Sequence, residues 1–98
     1  VPSVVSPRLR LRVLSAIPFG SELLMQLALP GGADVTVDVY DVRGRAVRSL
    51  QRGPLTAGLH PIRWDGMLPT GRPAASGVYF IHARADDRAV SKRVVLVR

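Results

Sequence analysis

Apolar residues in this chain recur at every second position, in runs of five to eight, and glycine or proline stands between the runs. That spacing puts successive apolar side chains on one face of an extended backbone, so it demands short half-buried strands. No segment repeats at helical spacing. Arg8 to Val13 alternates cleanly, with Leu9, Leu11 and Val13 on one face and Arg8, Arg10 and Arg12 on the other. After Ile17-Pro18-Phe19-Gly20, the stretch Glu22 to Leu29 turns Leu23, Met25, Leu27 and Leu29 inward, and Pro30-Gly31-Gly32 ends it. Asp34 to Val42 sets Val35, Val37 and Val39 against Thr36, Asp38 and Tyr40.

The turn signals between the runs are specific. In Asp41-Val42-Arg43-Gly44 the aspartate can accept bonds from the backbone ahead of it, and the glycine can adopt the positive φ that closes a type I hairpin. Arg45 to Leu50 then returns antiparallel. Its apolar residues Val47 and Leu50 are three apart, which predicts a short or bulged strand at an edge. Gly53-Pro54 and Ala57-Gly58 read as breaks. His60, Ile62 and Trp64 next alternate with Leu59, Pro61 and Arg63, and Pro61 must turn its missing donor away from a neighbour. The Gly- and Pro-rich stretch Asp65 to Ser76 is the longest loop. Gly77 to Ala85 follows, with Tyr79, Ile81 and Ala83 on one face and Val78, Phe80 and His82 on the other. Asp86-Asp87-Arg88 turns the chain into a last strand, Ala89 to Val97.

Seven strands joined by short connections predict an all-β, seven-stranded antiparallel immunoglobulin-like β-sandwich, with a small open barrel as the competitor. Trp64, Val37, Val39 and Ile62 are the expected core, together with Tyr79, whose place at the start of the sixth strand suits a tyrosine corner. At 98 residues the chain suffices for one core and one domain, residues 1–98, with 1–7 expected as a linker or extended leading segment. It opens on Val1 rather than Met, which suggests a piece of something longer.

The absence of cysteine excludes disulfides, zinc knuckles and thiol nucleophiles. No apolar stretch approaches the roughly 18 residues that a membrane-spanning helix needs. The net charge of +7 looks like a lead towards anionic partners, but thirteen of the fourteen basic residues are arginine and the other is Lys92. Codon usage in a GC-rich genome produces the same skew. With only 5% aromatic residues there is no stacking platform beside the arginines, so nucleic acid is not expected; an anionic surface such as lipopolysaccharide, or a polyacidic partner, suits Arg8, Arg10 and Arg12 better. His60 and His82 lack a third metal ligand. Ser76, the histidines and Asp65 come without a nucleophile elbow or paired carboxylates, so no catalytic residue, cofactor or metal is expected.

Several motifs in order point to a family. Trp64-Asp65-Gly66, Gly71-Arg72-Pro73 and Ala75-Ser76-Gly77-Val78-Tyr79-Phe80 follow Val37-Asp38-Val39-Tyr40-Asp41, Gly44-Arg45 and Ala57-Gly58-Leu59-His60, and precede Lys92-Arg93-Val94-Val95-Leu96-Val97-Arg98. The sequence resembles the immunoglobulin-like domain of flagellar hook-capping (FlgD-type) proteins. It resembles more closely the C-terminal sorting domains of type IX secretion cargo. The resemblance covers residues 9 to 98 and implies a non-catalytic module of a secreted or cell-surface bacterial protein, read by an outer-membrane translocon. Gly77, Tyr79 and Lys92, with Val94, Val95, Leu96 and Val97, stand where that family carries its signal. The alternative is a structural module, such as a hook-cap-like domain or a spacer, that packs on a neighbouring domain or on its own copy through the last strand. Two positions depart from the pattern: Ile17 replaces the usual Asn, and Met67-Leu68-Pro69-Thr70 replaces an acidic loop.

On physical grounds the last strand is the most suggestive feature. Val94 to Val97 are apolar on both faces, whereas an exposed edge is normally protected by charge, bulge or proline. Such a strand is either covered on both sides or read by strand addition.

Overall fold

A computed structural model describes residues 8–98, and the alternation becomes seven strands: β1 (Arg10–Val13), β2 (Leu23–Leu29), β3 (Ala33–Tyr40), β4 (Ala46–Leu55), β5 (Gly58–Trp64), β6 (Gly77–Ala85) and β7 (Arg88–Leu96). The expected leading segment 1–7 lies outside the described residues. Two sheets form, β1-β2-β5 and β4-β3-β6-β7, and every neighbouring pair is antiparallel. The sheets have separate edges, so the fold is an immunoglobulin-like sandwich and not a barrel.

Alternation decides which side chains fill the space between the sheets. Leu23, Met25, Leu27 and Leu29 come from β2, Val35, Val37 and Val39 from β3, and Ile81 and Ala83 from β6, all buried. Ile62 and Trp64 close the core from β5, and Val94 and Leu96 from β7. Each is apolar and in contact with the opposite sheet's inner face, which makes this one continuous core.

β4 differs most from its sequence reading. It runs ten residues, Ala46 to Leu55, straight through Gly53-Pro54, where a break was expected. Its register with β3 slips twice. Val37 pairs with Gln51 and Asp38 with Ser49, passing over Leu50; Val39 pairs with Arg48 and Tyr40 with Ala46, passing over Val47. Each slip is a bulge that inserts one residue, and the insertions let Val47 and Leu50 both pack against the core. β4 is an edge strand, so Pro54 costs no ladder bond on its outer side, and the same holds for Pro61 on the edge strand β5.

Candidate functional site

The segment that the sequence singles out lies at one end of the β6–β7 hairpin. Gly77 opens β6 with φ of +154°, a conformation that favours glycine, opposite Leu96. A Cβ there would meet no atom within 4 Å, so the glycine supplies backbone freedom and not space. Two residues on, Tyr79 is buried opposite Val94 and its hydroxyl donates to the Ala75 carbonyl at 2.6 Å, the arrangement of a tyrosine corner. Burial pushes the Tyr79 hydroxyl pKa up, and Asp41 adds to this while Arg98 opposes it. The Tyr79 ring stands edge-on to Trp64 at 5.2 Å, and the Phe19 ring packs on the same indole at 5.7 Å.

Below this aromatic group the long loop is tied down by polar contacts. The Trp64 indole N–H donates to the Met67 carbonyl at 3.1 Å. Arg48 donates to the same carbonyl at 2.8 Å and to Asp65 at 3.0 Å, and the Met67 N–H donates to Asp65 at 3.0 Å. That last bond is the first cause holding the Asp65 carboxyl below its ordinary range; Arg48 adds to it and burial opposes it.

β7 is an edge strand, and its apolar end divides by parity. Val94 and Leu96 are fully buried, Val95 is half-buried and Val97 is 53% exposed. The outer edge at this end is occupied from within the chain. Phe19 makes a parallel bridge to Leu96, donating its N–H to the Val95 carbonyl at 3.0 Å and accepting the Val97 N–H at 2.9 Å. Arg98 then pins the strand's end: its N–H donates to the Ser76 hydroxyl at 2.9 Å and its guanidinium to the carbonyls of Ala74, at 2.7 Å, and Gly66. The sequence gives no local sign of this clasp, because the partners are 22 to 32 residues away. Arg98 is therefore a structural residue as well as a surface charge.

Lys92 pairs in register with Ile81, at the parity that faces the core, yet it is exposed at the side opening of the sandwich. There it lines a groove of about 430 Å³ with β1 on the other bank. The two histidines are not brought together. His60, on the three-stranded sheet, contacts the Thr56 carbonyl at 2.7 Å, and His82, on the other sheet, contacts the Ser91 hydroxyl at 2.9 Å.

Comparison with known proteins adds to this geometry. Residues 15–89 match the model of the FlgD Ig-like domain. The chain belongs to the FlgD Ig-like domain family. The basal-body rod modification protein FlgD of Escherichia coli strain K12 is 38% identical over 76 residues, which are 76% of this chain and 30% of that protein. The chain thus spans about a third of the length of the curated FlgD relatives it matches. Among solved structures, FlgD from P. aeruginosa superposes with a TM-score of 0.61 at 24% identity, covering 97% of this chain and 77% of that one. PorZ of Porphyromonas gingivalis, a surface component of its type-IX secretion system, superposes with a TM-score of 0.58 at 16% identity, covering 92% of this chain and 11% of that one. Both superpositions show a shared fold. The match to the FlgD Ig-like family stops at residue 89, so Lys92 to Val97 lie beyond it.

Proposed function

We propose that this chain is a structural, non-catalytic immunoglobulin-like module of a larger exported or surface bacterial protein, packing against neighbouring domains or subunits of an assembly. The observation that supports it best is the closure of the last strand. Val94 and Leu96 complete the core, Phe19 occupies the adjoining edge, and Arg98 fastens the end to the long loop. A strand so engaged serves the module's own stability. Family membership supports the same reading, since the matched relative is by its name a basal-body rod modification protein.

A second reading, a sorting signal read by a translocon, is favoured by one observation. Lys92, at the side opening of the sandwich, and Val95 and Val97, on the outer face of the strand, keep exposed surface in the folded chain and could be touched without unfolding it. In that reading Gly77, Tyr79, Val94 and Leu96 would shape the strand, and Lys92, Val95 and Val97 would be contacted.

Substitutions separate the two. In the parent protein within its own host, surface changes Lys92→Glu and Val97→Asp are compared with the core change Val94→Asp. The structural reading expects assembly or display to follow folded stability, so only Val94→Asp impairs it. Loss of export in Lys92→Glu or Val97→Asp at an unchanged thermal midpoint would establish sorting instead.

A further inference from the structure

The groove between β1 and β7 combines charge with unused backbone. Leu14 donates its N–H to the Leu24 carbonyl at 2.8 Å, so by strand alternation the backbone groups of Leu9, Leu11 and Val13 face away from β2. On β7 the groups of Val95 and Val97 face outward to Phe19, so those of Ala89, Ser91 and Arg93 lie on the same outer edge. No backbone bond among the described residues reaches this edge before Val95. The two open edges look at each other across a groove lined by Arg10, Leu11 and Arg12 on one side and Val90, Ser91 and Lys92 on the other.

Arg10, Arg12, Lys92 and Arg93 enter no ion pair among the described residues. Four ion pairs occur among the described residues, and they engage Arg45, Arg48, Arg52 and Arg63 with Asp41, Asp65, Asp38 and Glu22. The seven residues ahead of Arg8 contain no acid in their sequence.

We propose that this groove docks an acidic segment of a partner protein, bound in extended conformation along the outer edge of β7. Arg10 and Arg12 are two residues apart on a strand, about 7 Å, which is the spacing of alternate side chains in an extended ligand. Acidic side chains at alternate positions would meet the two arginines, the intervening apolar ones would rest on Leu11 and Val90, and Lys92, on the same face as Val90, would add its charge at the end of that apolar row. A sulfated polysaccharide would satisfy the charges but would leave the backbone edge and the apolar floor unused, and that decides for a peptide. The proposal deepens the module reading by naming its partner's chemistry.

The test uses three probes on the folded chain: the capped peptide (Val-Asp)₄, its (Val-Lys)₄ counterpart, and dextran sulfate. Fluorescence anisotropy reads affinity, and amide exchange by NMR reads the edge. The acidic peptide is expected to bind, the basic one not to, and the amides of Ala89, Ser91 and Arg93 to gain protection. Arg10→Glu/Arg12→Glu/Lys92→Glu should weaken binding at least tenfold, and the milder Arg10→Gln/Arg12→Gln pair severalfold, both with an unchanged thermal midpoint. Failure of the acidic peptide to bind, equal binding of the basic one, or equal binding of dextran sulfate with no amide protection would overturn the proposal. None of these outcomes touches the module reading, which stands or falls on the dependence of assembly on folded stability.

Discussion

Phe19 is bonded on both sides of its peptide to the strand residues that flank Leu96, so a loop residue near the start of the chain acts as the outer neighbour of its last strand. The ring of the same residue is buried against Trp64. One residue thus links the edge of the four-stranded sheet, through its backbone, to the aromatic centre of the core, through its ring.

Truncating that ring is the first prediction. Phe19→Ala should cost about 3–5 kcal/mol, the usual range for a buried aromatic, and should loosen the Val95–Val97 edge as well. Urea unfolding measures the loss, and a change below about 1 kcal/mol would show that the bridge is not anchored by the ring.

The tyrosine corner gives a smaller and more specific effect. Tyr79→Phe keeps the ring against Trp64 and removes only the bond to the Ala75 carbonyl. The expected loss is about 1 kcal/mol, with faster amide exchange in the loop before β6. A loss as large as that of Phe19→Ala would mean that the hydroxyl holds more than this one bond.

Gly66 and Arg98 should be energetically coupled. Gly66 sits at φ of +73°, and a Cβ on it would come within 2.8 Å of the Arg98 guanidinium. Gly66→Ala therefore carries a backbone cost of about 1–2 kcal/mol and also displaces the clasp. In an Arg98→Ala background only the backbone cost should remain. A double-mutant cycle measures the difference, and strict additivity would contradict the contact.

Acid should weaken the fold through Asp65 and Asp41. Both carboxyls are held below the ordinary value of 3.8, Asp65 first by the Met67 N–H and Asp41 first by the Arg45 N–H. The folded state then binds fewer protons than the unfolded chain. The stabilisation is complete above the unfolded value and is lost as the pH falls through the folded ones. The urea midpoint is expected to hold steady down to about pH 5 and to drop below about pH 4. Asp65→Asn should remove part of that drop, leaving a shallower acid limb.

Much of the fold was legible in the sequence because alternation is a local property. Val35, Val37 and Val39, or Tyr79, Ile81 and Ala83, announce their buried face by spacing alone. β4 was legible as a bulged edge strand from the three-residue spacing of Val47 and Leu50, but its length was not, since an edge position accommodates Gly53-Pro54 without ending the strand. The candidate site was legible in its residues and not in its setting. Val94 to Val97 read as apolar on both faces, but parity buries Val94 and Leu96 and exposes Val97, and the cover on the edge comes from Phe19. Arg98 reads as one more surface charge because its carbonyl partners are distant in sequence, and only the folded chain brings them together.

If the last strand belongs to the module's own structure, removing residues 92–98 should be felt in urea unfolding recorded by circular dichroism. The cooperative transition is expected to disappear, because Val94 and Leu96 leave the core and Phe19 loses its partner. A truncated chain that unfolds cooperatively at the original midpoint would contradict it, and would mark the segment as an appendage free to act as a signal.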